Sequence, residues 1–221
     1  MRPLVIAIDG PSGAGKGTVA RALAERLGYR HLDTGAMYRA VAWKALRSGL
    51  PLEDEDGVAS LAERARLDVG PDGVRIDDED VTAAIRTPEI DRAAAAAAKL
   101  PRVRAVLVNR QRSAGAQGGI VMEGRDIGTV VFPDADVKIY LDASSEERAR
   151  RRAADPAHGI GKQAGLLGVE TELRARDLLD STRNASPLMP APDAVLLDTT
   201  GLSVDEVVDR VMRIVDEKRH L

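Results

Sequence analysis

Five uninterrupted apolar residues, Leu4-Val5-Ile6-Ala7-Ile8, run into a glycine-rich turn, the pattern of a strand buried on both faces of a parallel sheet. A helix is predicted next, because Val19, Leu23 and Leu27 with Ala20 and Ala24 keep helical spacing and Gly28 supplies a C-terminal stop. Strands of the same type are read at residues 118–122, 137–141 and 194–197, each followed after a loop by a helical pattern. The last helix is the best marked: Ser203 and Glu206 form a capping box ahead of the stripe Val204, Val207, Val208, Val211, Ile214 and Val215. Strands alternating with helices predict an α/β fold built on a doubly wound parallel sheet of about five strands.

Two stretches break that rhythm. Between residues 53 and 99, acidic loops (53–56 and 77–80) flank Asp68-Val69-Gly70-Pro71-Asp72-Gly73-Val74-Arg75-Ile76, which reads as a hairpin with a Pro-Asp-Gly turn. Thr87-Pro88-Glu89 then opens a helix containing six consecutive alanines, residues 93–98. This segment reads as an insert. In the second stretch, residues 146–168, Arg148, Arg150, Arg151 and Arg152 lead into the glycine-rich Ala157-His158-Gly159-Ile160-Gly161-Lys162, a pattern suited to a lid. The remaining segments, 1–52, 100–145 and 169–221, form the core.

Composition narrows the chemistry. The 221 residues contain no cysteine, which excludes disulfides, thiol catalysis and cysteine-ligated metals and suits a reducing cytoplasm. Residues 1–3 lead directly into an apolar run too short for a signal peptide or a membrane span, so a cytoplasmic protein with no membrane partner is expected. Five aromatic residues and a near balance of 32 basic against 35 acidic side chains argue against nucleic acid as a partner. No extended apolar interface helix is visible, and a monomer is expected. Of the 32 basic residues 26 are arginine, so the question becomes whether some of them grip phosphate or carboxylate with planar guanidinium forks.

The segment Gly10-Pro11-Ser12-Gly13-Ala14-Gly15-Lys16-Gly17-Thr18 follows a buried strand and opens a helix, the context that identifies a phosphate-binding loop. Its glycines let several backbone N–H groups point at one phosphate, the helix N-terminus adds partial positive charge, and Lys16 reaches the β- and γ-phosphates. Residue 17 is glycine where a hydroxyl ligand of Mg²⁺ usually stands. Mg²⁺ is therefore expected to be held mainly by nucleotide oxygens and water, with no protein metal site. Other partial matches fail for lack of context. Asp198-Thr199-Thr200-Gly201 follows the last strand, and the chain has no Asn-Lys pair for guanine. The 159–161 glycines follow no strand, the acidic clusters lack the alternation of a calcium loop, and His31, His158 and His220 are isolated.

A second substrate has candidate ligands of its own. Asp33 or Thr34 can cap a helix that presents Arg39 beside the phosphate loop. Arg102 and Arg104 follow Pro101, and Arg125 and Asp126 stand at the C-terminal end of a core strand, where open α/β sheets bind ligands. Arg176, Asp180 and Arg183 fall at i, i+4 and i+7, one face of a helix.

The segments GPSGAGKGT, DTGAMYR, IRTPE, LPRVR and GRDIGTVVFPDADVKIYLDASSEERARRR, together with the Arg176, Asp180 and Arg183 set, resemble the bacterial cytidylate kinases over essentially the whole chain. The resemblance implies a P-loop kinase core with an acceptor-binding insert at 53–99, a closing lid at 146–168, and transfer of the γ-phosphoryl of ATP to CMP or dCMP. It implies that residues 10–18 hold ATP, that Arg39, Arg125 and Arg183 bind the CMP phosphate, that Arg104 and Asp126 read cytosine, and that Arg176 with Asp180 meets the ribose. The capped segment at Thr34 joins the substrate side. Lys16, Arg39, Arg125, Arg183 and, from the arginine-rich lid, Arg151 are the candidate catalytic residues. Where family members carry a serine facing the base, this chain has Ala95, so the resemblance implies that one base hydrogen bond is absent or water-mediated and cytosine preference weakened. Two rival readings share the phosphate loop: a kinase of the same fold for UMP, AMP or dTMP, and a nucleotide-binding switch without fast transfer.

Overall fold

Complete burial of all five residues of β1 (Val5–Asp9) is what its unbroken apolar run demands. The computed structural model describes residues 3–155, 165–183 and 185–219. After β1 come α1 (Lys16–Leu27), β2 (Arg30–Asp33), α2 (Thr34–Arg47), α3 (Glu55–Arg64), β3 (Leu67–Gly70), β4 (Gly73–Ile76), β5 (Glu79–Asp80), α4 (Pro88–Ala97) and α5 (Pro101–Gly115). The second half contains β6 (Ile120–Glu123), a π-helical turn (Ile127–Val131), β7 (Val137–Asp142), α6 (Ser145–Ala154), α7 (Gly165–Thr182), β8 (Val195–Asp198) and α8 (Val204–Arg219).

Five strands form one parallel sheet in the order β2-β6-β1-β7-β8. Period-2 alternation sends β1 side chains to opposite faces. Val5 and Ala7 join Ile120 and Met122 in a core with α2, α3, α4 and α5, while Ile6 and Ile8 join Val121 in a core with α1 and α8. Both faces are therefore covered, as a parallel sheet requires. Residues 67–80 form a second, antiparallel sheet in the order β3-β4-β5, whose Val74 and Ile76 pack with Val81, Ile85 and Ile90 on Ala36, Ala40 and Trp43 of α2.

The local signals were read at their structural positions. Gly28 ends α1 with φ +65°, Thr87 caps α4 by accepting from Ile90 N–H, and Ser203 and Glu206 make both capping-box bonds ahead of α8. Three readings need correction. The acidic stretch at 53–56 is not all loop, because Asp54 accepts from Gly57 N–H and starts α3 at Glu55. The hairpin gains a third strand at 79–80, inside the second acidic stretch. Arg183 lies one residue beyond the end of α7 rather than on its face. No sequence pattern announced the π-helical turn. The glycine-rich loop at 157–162, His158 and His220 lie outside the described residues.

Candidate active site

The loop between β1 and α1 takes its shape from one constraint at its entrance. Gly10 has φ +147°, and a Cβ there would lie 2.0 Å from the carbonyl oxygen of Leu141 on β7, so only glycine lets the chain turn away from the sheet. The loop then opens α1, with Lys16 as its first residue. Lys16 is 6% exposed and its Nζ donates to Pro11 O at 2.7 Å. Burial, with the Arg125 charge nearby, lowers its pKa to about 7; a polyphosphate laid against it would raise it again.

The loop forms one wall of a cleft of about 1470 Å³ at the C-terminal ends of the strands. Asp9, the last residue of β1, accepts from Ile127 N–H (2.8 Å) and Gly128 N–H (2.7 Å), the free donors at the start of the π-helical turn. Burial raises its pKa to about 6 despite those two bonds. That contact holds the turn against the sheet and places Arg125 and Asp126, which precede it, in the lining of the cleft.

The opposite side of the cleft is built from alternating charges. Arg104 of α5, 4% exposed, is ion-paired through Nη2 with Asp126 and lies over the Tyr38 ring at 5.8 Å from its centroid. Arg125 donates from Nε to Asp180 at 3.0 Å, and Arg183 comes within 3.7 Å of Asp180 and 3.8 Å of Asp126. Arg39 donates to Asp33 at 2.9 Å. Asp91 of α4 draws three guanidiniums from three helices: Arg39 at 3.8 Å, Arg176 at 3.3 Å, and Arg152 in a closer pair. Arg39, Arg104, Arg125, Asp126, Arg176, Asp180 and Arg183, all read from the sequence, thus line one cleft with the phosphate loop.

Other sequence candidates stand elsewhere. Arg102 faces outward, paired with Asp56. Thr34 lines the cleft, but its hydroxyl donates to the Glu123 carbonyl at 2.7 Å and the N-cap is Asp33, which accepts from Ala36 N–H. Of the lid arginines, Arg148 is buried behind the phosphate loop and Arg150 is exposed beside Glu147. Arg151 donates to Thr199 Oγ1 (2.8 Å) and Thr199 O (2.6 Å), with Nη1 3.5 Å from the position a Cβ would take on Gly15. Arg151 and Arg152 are the two of the four that line the cleft. Ala95 lines it as well.

Two cleft residues escaped the sequence reading. Glu123 ends β6, beside β1, and its Oε1 approaches within 2.9 Å of where a Cβ on Gly17 would sit; a charged residue closing a buried apolar strand was its signal. Arg86 pairs with Asp33 at 3.4 Å from the end of the insert's loop, and within the IRTPE segment only its charge hinted at this. Among the described residues, no three His, Cys, Asp or Glu side chains gather as a metal cage. A single carboxylate, Glu123, with Thr18 on the same wall, fits a Mg²⁺ ion whose shell is otherwise phosphate and water.

Asp33 supplies a stability test. Burial raises its pKa, but Arg39, Arg86 and the Ala36 N–H outweigh that and hold it at about 2, against an ordinary 3.8. A depressed carboxylate stabilises the fold above its unfolded pKa and loses that contribution as pH falls through the folded value. About 2 kcal/mol should disappear between roughly pH 4 and pH 2. Urea unfolding across that range should show the decline in the wild type and a shallower one in Asp33→Asn; identical slopes would refute the assignment.

The described residues include no helix long and apolar enough to cross a membrane. The fold is that of P-loop kinases: shikimate kinases from Acinetobacter baumannii (TM-score 0.51, 17% identity, 97% of this chain and 94% of that one) and Bacteroides thetaiotaomicron (TM-score 0.53, 10% identity, 96% and 98%) superpose over nearly the full length. The family model for cytidylate kinase matches residues 6–217. Cytidylate kinases from Desulfitobacterium hafniense, 50% identical over 218 residues, and Geobacillus kaustophilus, 48% identical over 221, cover 97% and 98% of this chain and 94% and 98% of their own. A family match over residues 6–217 and identity of that extent over nearly the whole chain establish that the chain belongs to the cytidylate kinase family.

Proposed function

We propose that the cleft transfers the γ-phosphoryl group of ATP directly to the phosphate of CMP or dCMP. The observation that carries this reading is the buried Arg104–Asp126 pair sharing a cleft with the phosphate loop. Cytosine presents an amino donor at N4 beside an acceptor edge, and the pair offers it a carboxylate and a guanidinium. Uracil would set O4 against the Asp126 carboxylate. In this reading residues 10–18 hold the ATP phosphates, Arg39, Arg125 and Arg183 the acceptor phosphate, and Arg176 with Asp180 the ribose. Thr34 supports the site through the β6 backbone.

The acceptor oxygen is already anionic, so no general base is needed and catalysis consists of alignment and charge neutralisation. Lys16 and Arg151 stand on the donor side, and Arg39, Arg125 and Arg183 on the acceptor side. Glu123 and Thr18 would hold Mg²⁺, which would supply neutralisation of phosphate charge. Asp91 keeps guanidiniums from α2, α6 and α7 together before substrate arrives. Residues 53–99 then serve as the acceptor-binding insert and residues 146–168 as the lid that excludes water, so that ATP is not hydrolysed in place of transfer.

An acceptor panel with ATP and Mg²⁺ tests the reading. CMP and dCMP should be turned over well and UMP poorly. Ala95→Ser should widen the CMP preference over UMP by about fivefold, the worth of one added hydrogen bond. Phosphorylation of AMP without CMP would overturn the substrate. Nucleotide binding with no acceptor-stimulated ATP consumption would favour the switch.

A further inference from the structure

Both helices that bring arginines over the phosphate loop are fastened to it at one residue. Ser12 donates its N–H to Asp177 Oδ1 of α7 at 3.0 Å, and its carbonyl accepts from Arg148 Nη1 of α6 at 3.1 Å. An ion pair between Arg148 and Asp177 Oδ2 closes the ring. Arg148 Nε also donates to Ala143 O at 3.1 Å, which anchors the ring to the end of β7. The approach is close enough that a Cβ on Gly13 would meet the Arg148 backbone at 2.9 Å. Neither Arg148 nor Asp177 lines the cleft.

Each helix presents cleft residues within a turn of its anchor. On α7, Arg176 precedes Asp177 and Asp180 follows it by three residues; on α6, Arg151 and Arg152 follow Arg148 by three and four. Arg152 and Arg176 then meet on the same Asp91. A hydrogen-bonded helix moves as a unit over so short a span. A shift of the Ser12 peptide when the loop closes on phosphate therefore displaces the side chains facing the acceptor.

We propose that Asp177 is a positioning residue that, with Arg148 and the Ser12 peptide, couples the ATP-phosphate loop to the acceptor-binding arginines, so that each substrate tightens the binding of the other. The inference rests on the donor and acceptor assignments of the proposed function. A role confined to stability would leave the two binding sites energetically independent, whereas coupling between sites is reciprocal and measurable.

Calorimetric titration of CMP with and without a saturating non-hydrolysable ATP analogue and Mg²⁺ tests it. In the wild type CMP should bind at least about fivefold tighter when the analogue is present, and the analogue should gain the same factor from CMP. In Asp177→Asn that factor should fall below about twofold, since the amide still accepts from Ser12 but no longer pairs with the guanidinium. The double variant Arg148→Met with Asp177→Leu avoids leaving one buried charge unpaired and should fold; it should also lose the coupling. An uncoupled wild type, or coupling retained in either variant, would overturn the proposal. A wild type that takes up no CMP would instead overturn the function reading, and this inference with it.

Discussion

Replacing Lys16 with alanine should cut turnover by about 10²–10³-fold or more, the loss seen when one preorganised charge-stabilising group is removed from a transition state. The same change should make the protein more stable. Its Nζ is buried and donates to a single carbonyl oxygen, that of Pro11, and burial has already drawn its pKa from 10.5 to about 7. The folded state therefore binds that proton less well than the unfolded chain does. Stability is lost as pH falls from about 10.5 towards 7, by an amount of order a few kcal/mol. Alanine removes the penalty. Urea unfolding at pH 7 should show Lys16→Ala to be the more stable protein, with the advantage shrinking towards pH 10, while steady-state assays show the lost turnover. Reduced stability at both pH values would mean that misfolding, not lost charge, explains any loss of activity.

The second large effect is expected at Asp126. Its alanine variant confuses two causes, because removing the carboxylate leaves Arg104 buried and unpaired, a change that costs about 3–5 kcal/mol in other proteins. Asp126→Asn is the better probe. It is nearly isosteric, and the Asp126 carbonyl still accepts from Val130 N–H and Val131 N–H to hold the π-helical turn. The amide can turn a donor towards the base, so N4 of cytosine loses its acceptor and O4 of uracil gains a donor. kcat/KM for CMP should fall about 10–100-fold, the discrimination carried by one bidentate contact, with the KM for ATP nearly unchanged and the UMP to CMP ratio raised. An equal rise in both Michaelis constants would place Asp126 outside base recognition.

These expectations rest on residues of different legibility. The phosphate loop could be read directly, since a buried strand, a run of glycines and a lysine at the start of a helix are consecutive in the chain. Arg125 and Asp126 were found by the same means, at the end of a core strand. Glu123, two residues earlier, follows the apolar run that ends at Met122 and carries no local signal beyond its charge; only the pairing of β6 with β1 sets its carboxylate against Gly17. Asp9 reads as the last residue before a glycine turn, and its bonds to Ile127 and Gly128 span 118 and 119 residues. Among the arginines, local sequence could not separate Arg148, buried under the loop, from Arg151, three residues on and facing the cleft.

The sequence by itself determined the elements: where apolar runs make strands, where Ser203 and Thr87 start helices, and that residues 10–18 carry the pattern of a phosphate-binding loop. These depend on interactions within a few residues of chain, which periodicity and capping chemistry report. The tertiary structure alone decided which of the lid arginines reach the cleft, that Arg86 joins them there, which carboxylates hold the guanidiniums apart and together, and that Ser12 is gripped by two helices more than 130 residues downstream. A guanidinium on a helix face carries the same local signal whether it meets solvent or substrate. The order of parallel strands, set by non-local packing on both faces of the sheet, determines which it meets.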